Sequence, residues 1–155
     1  MLKVCITGTT RGIGKTLHDH FVNKGCNVIG LNKGSDIIGE SLGCDLFINN
    51  AYGNGMQIDL FNHLYASVKK MIVMGSIAAD YPDTKLLVYS MHKKQLKERV
   101  LDVVNSTTIG KADILLLQLT GDSYNDADLI TRTVDFWLDN PKITCMSFVP
   151  GEPNG

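Results

Sequence analysis

The sequence has no apolar run of the roughly 18 residues that a membrane-spanning helix needs. It also has no Cys-x-x-Cys pair, no internal repeat and no low-complexity tract. Nor does either sign of charge dominate: 15 Lys and Arg face 16 Asp and Glu, a net charge of −1. These absences exclude a membrane span and argue against a basic nucleic-acid-coating protein or a polybasic membrane binder. The four cysteines (Cys5, Cys26, Cys44, Cys145) are scattered and have no histidine cluster beside them. They read as free thiols in a reducing compartment, not as bridges or metal ligands. His18, His20, His63 and His92 read as surface residues. The opening MLKVCITG is too short and too structured for a signal peptide, so the expectation is a cytoplasmic protein without a metal.

What is present is enough for one domain. A chain of 155 residues buries about 70% of the surface it exposes when unfolded, and it leaves no room for a separate substrate domain. Residues 1–150 read as that domain and 151–155 as a loose tail. Six short apolar runs punctuate the chain: Leu2–Thr7, Asn27–Leu31, Asp45–Asn49, Met71–Gly75, Ala112–Leu119 and Ile143–Val149. They are apolar throughout instead of alternating, as strands buried on both faces of a parallel sheet are.

Helical stretches lie between them. Gly12–Lys24 carries Ile13, Leu17 and Phe21 near helical spacing, and Gly25 suits a helix stop. Ile58–Lys70 and Leu86–Val104 follow the same pattern. Asp126–Asn140 opens on capping residues and meets Pro141, and Asp36–Leu42 suits a short helix or turn. The alternation specifies an α/β fold, a Rossmann-like doubly wound parallel sheet of about six strands.

Three features point to chemistry. Thr7-Gly8-Thr9-Thr10-Arg11-Gly12-Ile13-Gly14-Lys15 joins the first strand to the first helix. Glycines there permit a sharp turn and let the backbone approach a pyrophosphate at the helix N-terminus; the alternative is a plain glycine-rich connector. Gly14-Lys15-Thr16 also supplies the second half of an NTPase P-loop, but the first glycine of that motif would fall on Thr9. Tyr89 and Lys93 stand four apart and so share one helix face. An ammonium about 5 Å from a phenol would favour the phenolate by about 3 kcal/mol at an effective dielectric near 20. Such a tyrosine can exchange a proton with a carbonyl or alcohol; the alternative is a solvated helix face. Ser76 follows a strand, at the sheet edge where doubly wound folds bind ligands, or else serves as a turn residue.

Taken in order, TGTTRGIG, INNAYG at 48–53, GS at 75–76 and YSMHK at 89–93 resemble the short-chain dehydrogenase/reductase family. The family carries a TGxxxGxG loop, an NNAG segment, a serine and then Tyr-x-x-x-Lys. The resemblance implies that Tyr89 is the general acid/base, that Lys93 holds the nicotinamide ribose, and that Ser76 positions the substrate carbonyl. It implies a cofactor cleft built from Gly8, Thr10, Arg11, Gly12, Ile13 and Gly14 on one side. On the other stand Asn49, Asn50 and Ala51. Asn62 would stand for the family's helix asparagine, or is a plain helix-face residue.

At the adenosine end stands Asn32, eighteen residues after Gly14, followed by Lys33. With Arg11 nearby and no acid except Asp36, this favours NADP(H) over NAD(H), unless Lys33 is simply a turn residue. The implied activity is reduction of a small carbonyl or the reverse oxidation of an alcohol, in a homodimer or homotetramer. A non-catalytic NADP-binding or sensor module with a remnant triad is the alternative, and a P-loop-like NTPase the third reading. The chain is short for the family: only 13 residues separate Leu31 from Asp45, so one βα unit is expected to be missing. The substrate lid is expected to be reduced to Asp122–Asn125.

Overall fold

A computed structural model describes residues 1–81, 84–107, 110–120 and 126–148. The expected lid remnant Asp122–Asn125 and the expected tail, residues 151–155, lie outside the described residues. The six strands are β1 (Lys3–Thr7), β2 (Asn27–Leu31), β3 (Leu46–Asn49), β4 (Lys70–Ser76), β5 (Asp113–Leu119) and β6 (Cys145–Ser147). All pair in parallel, in the order β2-β1-β3-β4-β5-β6. The helices are α1 (Gly12–Asn23), α2 (Ile37–Ser41), α3 (Met56–Leu64), α4 (Leu87–Val104) and α5 (Ala127–Asp139). This is the expected doubly wound fold, and β2 forms the sheet's edge among the described residues.

Successive strand side chains point to opposite faces, so the sheet separates two cores. On one face Val4, Ile6, Ile48, Ile72 and Leu115 pack under Ile13, Leu17 and Phe21 of α1 and Ile130, Val134 and Trp137 of α5. On the other, Cys5, Phe47, Met71, Val73 and Leu116 pack under Leu60, Phe61 and Leu64 of α3 and Leu96 and Val100 of α4. Both faces of the central strands are dry, which explains their uninterrupted apolar runs.

The ends of the helices follow local chemistry. Gly25, at φ +82°, ends α1; its N–H donates to the Val22 carbonyl at 3.0 Å, while the Cys26 N–H donates to Phe21 at 3.1 Å, the paired bonds of a left-handed helix stop. Asp126 caps α5 by accepting from the Leu129 N–H at 3.0 Å. The Lys111 ammonium closes α4, donating to the carbonyls of Val103, Val104 and Ser106 at 2.9 Å each.

One boundary differs from expectation by more than two residues. The pattern extended the third helix to Lys70, but α3 stops at Leu64. Lys70 is instead the first residue of β4, in register with Leu46 and Asp113. The chain must turn at Tyr65–Lys69 to enter the sheet, and Val68 is buried in that turn.

The chain runs from β1 out to β2, then crosses back to β3 on the other side of β1. Ligands of open α/β sheets bind where the strand order reverses, beyond the carboxyl ends of the strands. Here that point is flanked by the loop after β1 and the segment after β3.

Candidate active site

The loop after β1 is built around one contact that excludes a side chain and two left-handed glycines. A Cβ on Gly14 would lie 1.8 Å from the Gly8 carbonyl oxygen, so the first turn of α1 presses directly on the end of β1. Gly8 adopts φ +72° and Gly12 φ +60°, the left-handed region that glycine enters without a Cβ penalty. Nothing lies within 4 Å of where a Gly12 side chain would be, which leaves backbone open beside the helix start. Arg11 occupies the cap position with no side-chain cap, and no acid stands in the first turn of α1. The unpaired N–H groups and positive dipole end there suit an anion. Ile13 is buried; Thr10 and Arg11 are exposed.

The segment after β3 braces this loop. The Asn50 and Ala51 N–H groups both donate to Thr7 Oγ1 at 2.9 Å. Asn50 Nδ2 donates to the carbonyls of Thr7 (3.1 Å) and Gly8 (3.3 Å). Asn32 holds the loop from the β2 side: its Oδ1 accepts from the Thr9 N–H at 3.0 Å. Lys33 beside it is exposed. Asp36, the only acid near this end of the loop in sequence, accepts from the Gly39 N–H as the cap of α2. Lys15 pairs with Asp19 at 2.8 Å along the surface of α1, turned to its helix neighbour and not engaged with the loop as a P-loop lysine would be.

The Tyr89–Lys93 pair lies on the first two turns of α4. Lys93 is only 4% exposed. Its ammonium donates to Gln57 Oε1 at 2.6 Å and to the Met74 carbonyl at 2.8 Å, while burial brings its pKa down to about 8. The same nitrogen sits 5.6 Å from the centroid of the Tyr89 ring. Ser76, two residues beyond Met74 toward the carboxyl edge, caps the short turn Ile77–Ala79 by accepting from the Ala78 N–H at 3.1 Å. Its own O–H hydrogen is a further donor beyond that bond. The structure therefore fastens Lys93 to the end of β4, with Tyr89 beside its ammonium and Ser76 two residues farther along the same strand.

Asn62 stands apart. It lies on the exposed side of α3, where its Oδ1 accepts from Arg99 Nε at 2.7 Å, and it takes the helix-face role. The amide at Lys93 belongs to Gln57, which is buried at 2% exposure. Gln57 Nε2 donates to the carbonyls of Asn49 (2.9 Å) and Met74 (3.0 Å), and Asn49 Nδ2 donates back to the Gln57 carbonyl at 2.9 Å. One side chain thus ties β3, β4, α3 and α4 together.

Two further residues take places the sequence did not give them: Tyr52 was not singled out, and His92, expected on the surface, is half-buried because it packs against Tyr52. The Tyr52 ring packs edge-on against Tyr89, centroids 5.0 Å apart, and Tyr52 Oη shares a 2.5 Å hydrogen bond with His92 Nδ1. The one available signal was INNAYG itself, which places a tyrosine where the family segment has glycine.

No family model and no curated protein matches this sequence. Solved structures do match. A double mutant of a short-chain dehydrogenase/reductase from Serratia marcescens aligns over 95% of each chain with a TM-score of 0.74 at 15% identity. The closed form of a serine dehydrogenase complexed with NADP+ aligns over 99% of this chain and 98% of its own, TM-score 0.69, identity 13%. A 3-alpha-hydroxysteroid dehydrogenase from Pseudomonas sp. B-0831 complexed with NADH aligns over 94% and 95%, TM-score 0.61, identity 13%. The fold of this chain is that of the short-chain dehydrogenases/reductases.

Proposed function

We propose that the chain is an NADP(H)-dependent oxidoreductase of the short-chain dehydrogenase/reductase type, acting on a small carbonyl or alcohol. The observation that carries this reading is the buried Lys93 ammonium, fixed by Gln57 and Met74 and lying 5.6 Å from the Tyr89 ring. A cation is retained in a dry place where it costs stability, beside the one phenol that the sequence pattern assigns to acid–base work.

The residues fit a dinucleotide. Gly12 leaves open backbone at the start of α1, Gly8 and Gly14 close the turn by direct packing, and Asn50 and Asn32 stiffen it from either side. Lys33 and Arg11 are exposed cations, while Asp36 is spent on capping α2; this supports a 2′-phosphate over a bare ribose hydroxyl. When bound, the cofactor supplies or accepts a hydride. Tyr89 then protonates the carbonyl oxygen as an alcohol forms, or takes the proton back in the reverse direction. Lys93 holds its ammonium beside the Tyr89 ring, and the Ser76 hydroxyl donates to the substrate oxygen.

Calorimetric titration with NADPH and NADH tests the cofactor assignment: NADPH is expected to bind more tightly, and Lys33→Ala with Arg11→Ala to erase the difference. Tyr89→Phe is expected to lower carbonyl turnover by about 100-fold or more while leaving NADPH affinity in place. Retained turnover in Tyr89→Phe would overturn the assignment of the acid/base. NADPH binding with no turnover in the wild type would favour the non-catalytic module.

A further inference from the structure

The function proposed above uses none of the four thiols. Cys145 is exposed on β6, and Cys26 is half-buried at the edge of the core under α1 and α5. Cys5 and Cys44 differ from both. Each is fully buried in the core under α3 and α4, and the two side chains are hydrogen-bonded to each other. Cys5 stands at the middle of β1 and Cys44 two residues before β3, so the fold joins two thiols that the sequence keeps far apart.

Their surroundings make the two sulfurs unlike. The Cys44 S–H donates to Cys5, the Lys3 charge acts on the same sulfur and the Ser41 hydroxyl lies beside it; together they bring the Cys5 thiol down to about 7 against the effect of burial. The same contact, with burial, pushes Cys44 up. A thiolate is therefore available at Cys5 near neutral pH, with an un-ionised thiol held against it. One sulfur is fitted to attack and the other to resolve.

What covers the pair is α2, a five-residue helix whose one buried residue is Ser41; Gly39, Glu40, Leu42 and Gly43 are exposed. Two side chains of β1 hold its Glu40 carbonyl: Lys3 Nζ donates at 2.8 Å and Cys5 Sγ at 3.7 Å. An element with so few buried contacts opens without the rest of the fold. Its opening lets a small oxidant reach the sulfurs.

We propose that Cys5 and Cys44 form a site of reversible oxidation, which a hydroperoxide closes into a disulfide. The Cys5 thiolate attacks one oxygen of hydrogen peroxide, the O–O bond breaks, and the other oxygen leaves as water with the proton the thiol had released. The Cys44 sulfur then attacks the sulfenic sulfur. The S–O bond breaks, and that oxygen leaves as a second water with the Cys44 proton. The two thiols lose two electrons and one peroxide becomes two waters; a dithiol reverses the change by exchange. In the disulfide Cys5 has no S–H to give the Glu40 carbonyl, so α2 keeps only the Lys3 tie. The site needs no cofactor and does not rest on the oxidoreductase reading.

The test uses the full chain carrying Cys26→Ser and Cys145→Ser, which leaves the buried pair alone. After hydrogen peroxide, then iodoacetamide in denaturant, the intact mass should lie about 2 Da below that of the reduced protein, with no alkylation. Dithiothreitol should restore two alkylatable thiols. With Cys44→Ser added, oxidation should stop at a Cys5 sulfenic acid that dimedone captures; the mass measurement on the intact pair does not depend on that variant folding. Amide exchange over α2 should quicken about tenfold on oxidation and slow again on reduction. Two alkylated cysteines after a peroxide dose that oxidises Cys145 in the wild type overturn the site, and so does a disulfide found only between molecules. Unchanged exchange in the oxidised protein overturns the release of α2.

Discussion

Lys93 keeps a positive charge where charge is expensive. Its pKa is held to about 8 by burial, below the value of about 10.4 for a lysine in an unfolded chain. Between those two values the unfolded chain binds more protons than the folded one, so stability rises with pH across that window. Below about pH 8 both states are charged and the cost of burial is present in full. Urea titrations from pH 7.5 to 10 should show a rise of up to about 3 kcal/mol in the wild type and a flatter profile in Lys93→Met. The glycines separate two further effects. Gly14→Ala drives a Cβ against the Gly8 carbonyl and is expected to cost NADPH affinity tenfold or more. Gly12→Ala meets open space and only its φ of +60°, a cost of about 1–2 kcal/mol visible in thermal melts.

Among the elements, α5 shows how much depends on a helix far from the chemistry. Trp137 is fully buried and its Nε1–H donates to the Ile143 carbonyl at 2.8 Å, so the helix is fastened to the segment that leads into β6. Trp137→Ala should destabilise by about 3–5 kcal/mol, and Asp126→Ala, which loses the cap, by about 1 kcal/mol; denaturant midpoints measure both. The elements were also the most legible part of the sequence. Apolar runs such as Met71–Gly75 mark strands because both their faces are buried, and Gly25 and Pro141 mark helix ends through backbone geometry alone. The end of α3 was not legible, because Lys70 becomes a strand residue through pairing with Leu46 and Asp113, which are distant in sequence.

The candidate site divides in the same way: the glycine loop, Ser76, Tyr89 and Lys93 are visible as spacing. Gln57 was not, since an amide in a helix's first turn looks solvated until the fold sets it under Lys93. Tyr52 and His92 lie forty residues apart and meet only in three dimensions.

At the scale of the whole molecule, the sheet is narrow and the start of α4 is greasy. Leu86, Leu87, Val88 and Met91 are each more than half exposed, an apolar surface of the kind that association covers. Sedimentation at micromolar concentration should find a homodimer or homotetramer; a clean monomer would count against it. None of the helices in the described residues is long and apolar enough to cross a membrane.

The place of β2 at the rim of the sheet has a consequence of its own. Among the described residues β2 is hydrogen-bonded only to β1, so one row of its backbone N–H and C=O groups faces outward. Such a row is a template on which another extended chain can add. A Cβ on Gly30 would meet Thr9 Oγ1 at 2.5 Å, so a bulkier residue there has to displace that side chain. Among the described residues the sheet therefore keeps one edge open to pairing, and that edge is the strand leading to Asn32 and Lys33.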